Sequence, residues 1–221
     1  MSDRTLVVGA SGLVGSLLVR KMIADGRSKE LYLLVRAPLR DHIDGVTVHA
    51  APTTQWPEII ASVKPARAVS CLGSTMKKAG SKQAFAAIDR DLVAEVGKAA
   101  KAAGARQFIT VSSTMADANA SGFYLKTKGQ AEQLLRGEGF DRLDIIRPGL
   151  LRGERSGETR LGEGLAIIAS PVMDLLLHGS LRRFRSIDAG TVAAAIATLL
   201  TEDGQGVHIH ENDALWELAG R

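Results

Sequence analysis

Thr5-Leu6-Val7-Val8-Gly9-Ala10-Ser11-Gly12-Leu13-Val14-Gly15 joins a short apolar run to three glycines spaced three apart, followed by further apolar residues. The run Thr5–Val8 lacks polar alternation, the pattern of a strand buried on both faces of a parallel sheet. Past the glycines, Leu13, Val14, Leu17, Leu18 and Met22 recur at helical spacing. Glycine spacing alone is a weak signal. Here it falls on a strand-to-helix turn, where each glycine has a mechanical task. Gly9 permits the tight turn, Gly12 lets a pyrophosphate approach the backbone, and Gly15 lets the helix pack closely on the sheet. The helix N-terminus then offers N–H groups and a partial positive charge to phosphate.

Outward from this turn, strands and helices alternate. Apolar runs at Leu31–Val35, 46–50, 68–72, Gln107–Val111 and 144–147 read as strands. Trp56–Val63, an Ala-rich segment at 83–103 ending before Gly104, and 124–136 ending before Gly137 read as helices. Such alternation predicts an α/β fold: a Rossmann-type, doubly wound parallel sheet with helices on both faces. After residue 150 the pattern loosens, with Gly153, Gly157, Gly162 and Gly164 leading into an apolar stretch at 165–177. A helix at 191–200, a strand at 207–210 and a last helix capped by Asn212 or Asp213 complete the chain. The expectation is a single domain over 1–221, with a dinucleotide-binding core over about 1–150 and a small substrate-side extension over about 151–221.

The end of the second strand bears on cofactor choice. An acidic residue there would bind the ribose 2′-hydroxyl of NAD. This chain has Val35-Arg36, with Arg40 close by, about 20 residues beyond Gly15. A guanidinium grips a 2′-phosphate bidentately, so NADP(H) is expected ahead of NAD(H).

Tyr124 and Lys128 stand four residues apart on a predicted helix, one turn apart on one face. An ammonium near a phenol favours the phenolate, which suits a tyrosine that exchanges protons near neutral pH. Ser112, Ser113 and Thr114 close the fifth strand, at the carboxyl edge where ligands bind in open α/β sheets. Any of the three hydroxyls could polarise a substrate carbonyl.

Together these residues resemble the short-chain dehydrogenase/reductase superfamily. Cys71-Leu72-Gly73-Ser74-Thr75, Asp89-Arg90-Asp91, Val111-Ser112-Ser113 and Arg147-Pro148-Gly149 add to the likeness. It is greatest to the atypical group of the Tat-interacting oxidoreductase and its bacterial relatives, over residues 5–155. The resemblance implies an NADPH-binding Rossmann fold with Tyr124 as acid/base and Lys128 on the nicotinamide ribose. It favours Ser113 as the catalytic hydroxyl. It assigns cofactor contacts to Gly9, Ser11, Gly12, Leu13, Val14, Gly15, Arg36, Cys71, Leu72, Gly73, Ser112, Tyr124, Lys128, Pro148, Gly149 and Leu150. The helix position where many members carry Asn holds Asp89 here.

The leading expectation is an NADPH-dependent reductase of a small carbonyl substrate. A non-catalytic NADP(H) sensor or regulator is the alternative. A nucleoside-diphosphate-sugar epimerase ranks third, because the part after residue 150 is small for it.

Composition narrows the field further. The 221 residues are 45% hydrophobic and 24% charged, a globular mix. A formal charge of +4 is spread without a dense Lys/Arg block, and aromatics are only 4%. That argues against a nucleic-acid groove. The stretch 165–177, broken by Pro171 and Asp174, is too short to span a bilayer. One cysteine, Cys71, excludes a disulfide framework and suits a reducing compartment, read here as the cytosol. His208 and His210, alternating on a strand without a third ligand, make no metal site. Arg182-Arg183-Phe184-Arg185 reads as a solvated basic edge. The expected partners are a small-molecule substrate and at most a second copy of the chain, as monomer or homodimer.

Overall fold

In a computed structural model of the chain, the structure describes residues 4–39, 42–153 and 178–220. Seven strands form one parallel sheet: β1 (Thr5–Val8), β2 (Leu31–Val35), β3 (Thr47–Ala50), β4 (Arg67–Ser70), β5 (Gln107–Val111), β6 (Arg142–Arg147) and, last, the edge strand Gly206–Glu211. Two short strands, β7 (Leu151–Arg152) and β8 (Ile187–Asp188), pair separately. The edge strand is therefore β9, and the sheet order is β3-β2-β1-β4-β5-β6-β9. Strand order reverses beside β1, whose Val8 faces Leu34 of β2 on one side and Ser70 of β4 on the other. Such a reversal marks the carboxyl edge of the sheet beside β1 as the place of the candidate cleft.

Side chains alternate across each strand, so one run feeds two cores. Val7, Leu33, Ile109 and Ile146 pack beneath α1 (Leu13–Ala24) and, near the C-terminus, the helix Ala189–Leu199. Leu6, Val8, Leu34, Phe108 and Ile145 pack beneath α2 (Trp56–Val63) and the helices Val93–Ala102 and Phe123–Gly137. Burial on both faces is why these strands read as unbroken apolar runs.

Three expectations needed adjustment. The helix expected over 83–103 is α4 (Lys82–Ala86), a π-helical turn over Ala87–Leu92, and α5 (Val93–Ala102), preceded by a short α3 (Met76–Ala79). The π turn carries Asp89 into the interior, where it is 1% exposed. Strand β4 stops at Ser70, and the chain leaves the ladder after Cys71 N, which still bonds to Val8 O at 3.0 Å. In chain order the remaining helices are α6 (Phe123–Gly137), α7 (Ala189–Leu199) and α8 (Asn212–Leu218). Neither Asn212 nor Asp213 caps α8: Glu211 occupies that position without a side-chain cap bond. Asn212 instead accepts from Gly149 N at 2.8 Å and donates to Arg185 O at 2.6 Å.

His210 Nε2 lies 2.9 Å from Asp144 Oδ1, and His208 Nε2 lies 3.0 Å from Gln205 O. The expected apolar stretch at 165–177, Arg40, and the glycines at 157, 162 and 164 lie outside the described residues. No described helix is long and apolar enough to cross a membrane.

Candidate active site

The glycine turn caps the cleft. Gly9 sits at φ 76°, in the left-handed region, and a Cβ there would stand 2.6 Å from the Cys71 carbonyl. The β4 exit is thus pressed against the turn, with Cys71 N donating to Val8 O at 3.0 Å. Gly12 N donates to Gly9 O at 2.9 Å and closes the turn. A Cβ on Gly15 would collide with the Gly9 carbonyl, so this glycine serves packing. A Cβ on Gly12 would meet only Gly9 O, at 3.1 Å, and Cys71 O, at 3.9 Å. The two glycines therefore have different tasks: Gly15 holds the fold together and Gly12 keeps a surface open.

The start of α1 fits an anion. Gly12 is its N-cap, no side chain caps the helix, and its first turn carries no acidic residue. The N–H groups around Leu13 and Val14 therefore have no side-chain competitor for a phosphate. Ser11 is exposed beside them, while the Val14 side chain is buried in the core. Arg36 is exposed directly after β2, next to β1 in the sheet.

Across the cleft, α6 carries Tyr124 and Lys128. Lys128 is 6% exposed, and its Nζ lies 2.8 Å from Asp89 Oδ1. This is an ion contact without hydrogen-bond alignment. The other Asp89 oxygen accepts from Ser74 N at 2.8 Å, tying the β4 exit to the same carboxylate. A Cβ on Gly73 would stand 3.7 Å from Lys128 Nζ, so the exposed backbone at Gly73 borders the ammonium. An ammonium has three donors, and a buried one facing an open glycine can serve vicinal hydroxyls such as those of a ribose. The residues present thus fit a dinucleotide at three points: pyrophosphate at α1, ribose at Lys128, and an anion at Arg36.

Tyr124, one turn before Lys128, is 40% exposed, with its ring against Phe85 at 5.6 Å between centroids. The three hydroxyls at the β5 exit are not equivalent. Ser112 Oγ donates to Glu132 Oε1 at 2.5 Å and is buried. Ser113 is half-buried, and among the described residues its Oγ reaches only Thr114 O, at 3.3 Å. Thr114 Oγ1 is buried without a partner, while its backbone N donates to Pro148 O at 3.1 Å.

Gly149 admits no side chain, because the Arg183 and Arg185 carbonyls press against it. Leu150 is exposed, and its carbonyl accepts from Ile187 N at 2.9 Å. Leu72 packs at the margin of the core. Part of Cys71 meets the surface, but its thiol is enclosed by protein, and this burial pushes it up to about 12. Cys71 is therefore a neutral thiol at pH 7 and lends the cleft its backbone.

Several polar contacts at the site are absent from the sequence reading. Glu132 and Arg147 form a buried bidentate pair, Ser74 N serves Asp89, and Asn212 clamps Gly149. Ser74 and Arg147 stand in the sequence reading only as parts of longer motifs and Asn212 only as a helix cap, while Glu132 follows Tyr124 and Lys128 at the same spacing on one helical face.

Comparison with known proteins agrees with this geometry. Residues 9–203 match the model of a family described as NAD(P)H-binding. The protein FMP52, mitochondrial, of Candida albicans is 34% identical over 199 residues, 87% of each chain. Its namesake in Eremothecium gossypii is 32% identical over 223 residues, 96% of each chain. Among solved structures, a Thermus thermophilus UDP-glucose 4-epimerase in complex with NAD superposes with a TM-score of 0.70 at 17% identity, covering 98% of this chain and 81% of that one. The Bordetella bronchiseptica enzyme WbmH in complex with NAD+ gives 0.70 at 14% identity, covering 98% and 79%. These two show the shared Rossmann fold.

The fungal relatives correct one expectation. They are named mitochondrial, which overturns the cytosolic reading. A lone unpaired cysteine excludes a disulfide framework but does not select among reducing compartments. With the family match running through most of its length, the chain belongs to the NAD(P)H-binding family, and an atypical short-chain dehydrogenase/reductase fits its fold.

Proposed function

We propose that the chain is an NADPH-dependent oxidoreductase that reduces the carbonyl group of a small substrate. The observation that carries this reading is the buried Lys128 ammonium beside the open backbone of Gly73, with a half-exposed tyrosine one helical turn away. Arg36 favours the 2′-phosphorylated cofactor, since a strand-end guanidinium attracts the anion that an acidic residue would repel.

When bound, the nicotinamide supplies the hydride. The chain's own residues do the rest. The N–H groups of the α1 N-terminus bind the pyrophosphate. Lys128 donates to the ribose hydroxyls and sets a positive charge near Tyr124. Ser113 Oγ donates to the substrate carbonyl oxygen and polarises the C=O bond. The Tyr124 phenol would give its proton to the carbonyl oxygen as the carbonyl carbon is reduced. The product is an alcohol. Tyr124 is exposed enough to regain its proton from solvent.

The test is a panel of aldehydes and ketones assayed with NADPH, with wild type beside Tyr124→Phe. Turnover by wild type that collapses in the variant supports the reading. Normal NADPH binding with no turnover on any carbonyl would make the protein a nucleotide sensor instead.

A further inference from the structure

Glu132 has no part in the chemistry above, yet it is 3% exposed and heavily bonded. Its Oε1 accepts from Ser112 Oγ at 2.5 Å and from Arg147 Nε at 2.9 Å. Its Oε2 accepts from Arg147 Nη2 at 2.5 Å, and that nitrogen also donates to Ala116 O at 2.9 Å. One carboxylate therefore fastens the β5 exit at two places: directly at Ser112, and through Arg147 at Ala116. Between these fastenings lie Ser113, Thr114 and Met115. Further along the same loop, a Cβ on Gly129 of α6 would collide with the Asp117 and Ala118 backbone, so the loop lies flat on the helix. Glu132 also lines a small cavity, with room for about one water, together with Ser112, Asp89 and Lys128. The carboxylate that holds the loop thus borders the ion pair that holds the lysine.

A buried carboxylate accepts every good donor within reach, and Ser112 is the hydroxyl within reach. The neighbouring Ser113 has only a 3.3 Å contact to a backbone carbonyl. We propose that Glu132 is a positioning residue: it draws the Ser112 hydroxyl into the scaffold and leaves the Ser113 hydroxyl to the substrate. The Ser113 half of this statement rests on the reductase reading, whereas the Ser112 half does not.

Thiol labelling separates the two. Ser112→Cys and Ser113→Cys are made singly and alkylated, with the modified peptide read by mass spectrometry. Cys71 gives a low background, because its thiol stays protonated. The Ser113 thiol should react about tenfold faster or more than the Ser112 thiol, and NADPH should protect it. Adding Glu132→Ala to Ser112→Cys should raise its labelling by about tenfold, and Glu132→Gln, which keeps an oxygen for position 112, should restore slow labelling. If Glu132→Ala fails to fold because Arg147 is stranded, Glu132→Met with Arg147→Met removes both charges and is read in the same way. Equal labelling of the two thiols, or a Ser112 thiol indifferent to Glu132, overturns the proposal. A labelling contrast that NADPH does not affect upholds the Glu132 clamp and overturns the reductase reading beneath it.

Discussion

The two halves of the cleft are built by different means. The phosphate side is a single stretch, Gly9 to Gly15, whose parts touch because they are neighbours in the chain. The reactive side is assembled from Ser74, Asp89, Ser112, Lys128, Glu132 and Arg147, which reach one another from five separate segments. Local construction makes a site that backbone geometry alone can specify. Distant construction makes one that depends on buried ion pairs, each costly if left half made.

The sharpest way to break this comparison is at the glycines. Gly12→Val should abolish NADPH binding and leave the fold intact, since the added side chain meets little protein and fills the approach to the turn. Gly15→Val should instead cost the fold, because its Cβ lands on the Gly9 carbonyl. Thermal melts beside a cofactor titration distinguish the two. Equal behaviour of the variants would remove the division of labour assigned to this turn.

On the reactive side, Tyr124→Phe should lower turnover by roughly two to four orders of magnitude, the usual scale of general acid–base catalysis, with NADPH affinity little changed. Steady-state kinetics and a binding titration on the same preparation check both numbers.

How much of each half could be read from sequence follows from the same contrast. The turn, the alternation of strands and helices, and the single helix that carries Tyr124 and Lys128 are written in short-range spacing, and the structure reproduces them. The π turn that buries Asp89 is not, because an Ala-rich helical segment gives no sign of one extra residue in a turn. Nor does a glutamate on a helix announce that it is buried: Glu132 shares its spacing with any solvated charge. Asn212 resembled a helix cap because its residue type caps helices, but the backbone at Gly149 claims its side chain first.

A third polar cluster, at the far end of β6 from the cleft, serves as a control. Burial raises the Asp144 carboxyl, but hydrogen bonds from His210, Arg142 and Gln107 outweigh it and hold the group below its ordinary range. A depressed carboxylate contributes stability that is present above its unfolded value of about 3.9 and is lost as pH falls through the folded one. Asp144→Asn should therefore cost about 3 kcal/mol at neutral pH, flatten the acid limb of a stability–pH curve, and leave cofactor affinity unchanged. Denaturant melts across pH measure this. A change in NADPH affinity would show that the cluster is coupled to the cleft.

The smallest expected effect bears on the claim from which the rest follows, that this cleft is built for NADPH. In that proposal Arg36 is the residue that selects the 2′-phosphate. The measurement is a paired titration of NADPH and NADH against wild type and Arg36→Asp. Wild type should prefer NADPH, and the substitution should weaken NADPH by the loss of a charge-assisted contact, about 1.5–3 kcal/mol, or roughly tenfold to more than a hundredfold. NADH affinity should hold or improve. Equal affinities for the two cofactors in wild type, unmoved by the substitution, would contradict the assignment.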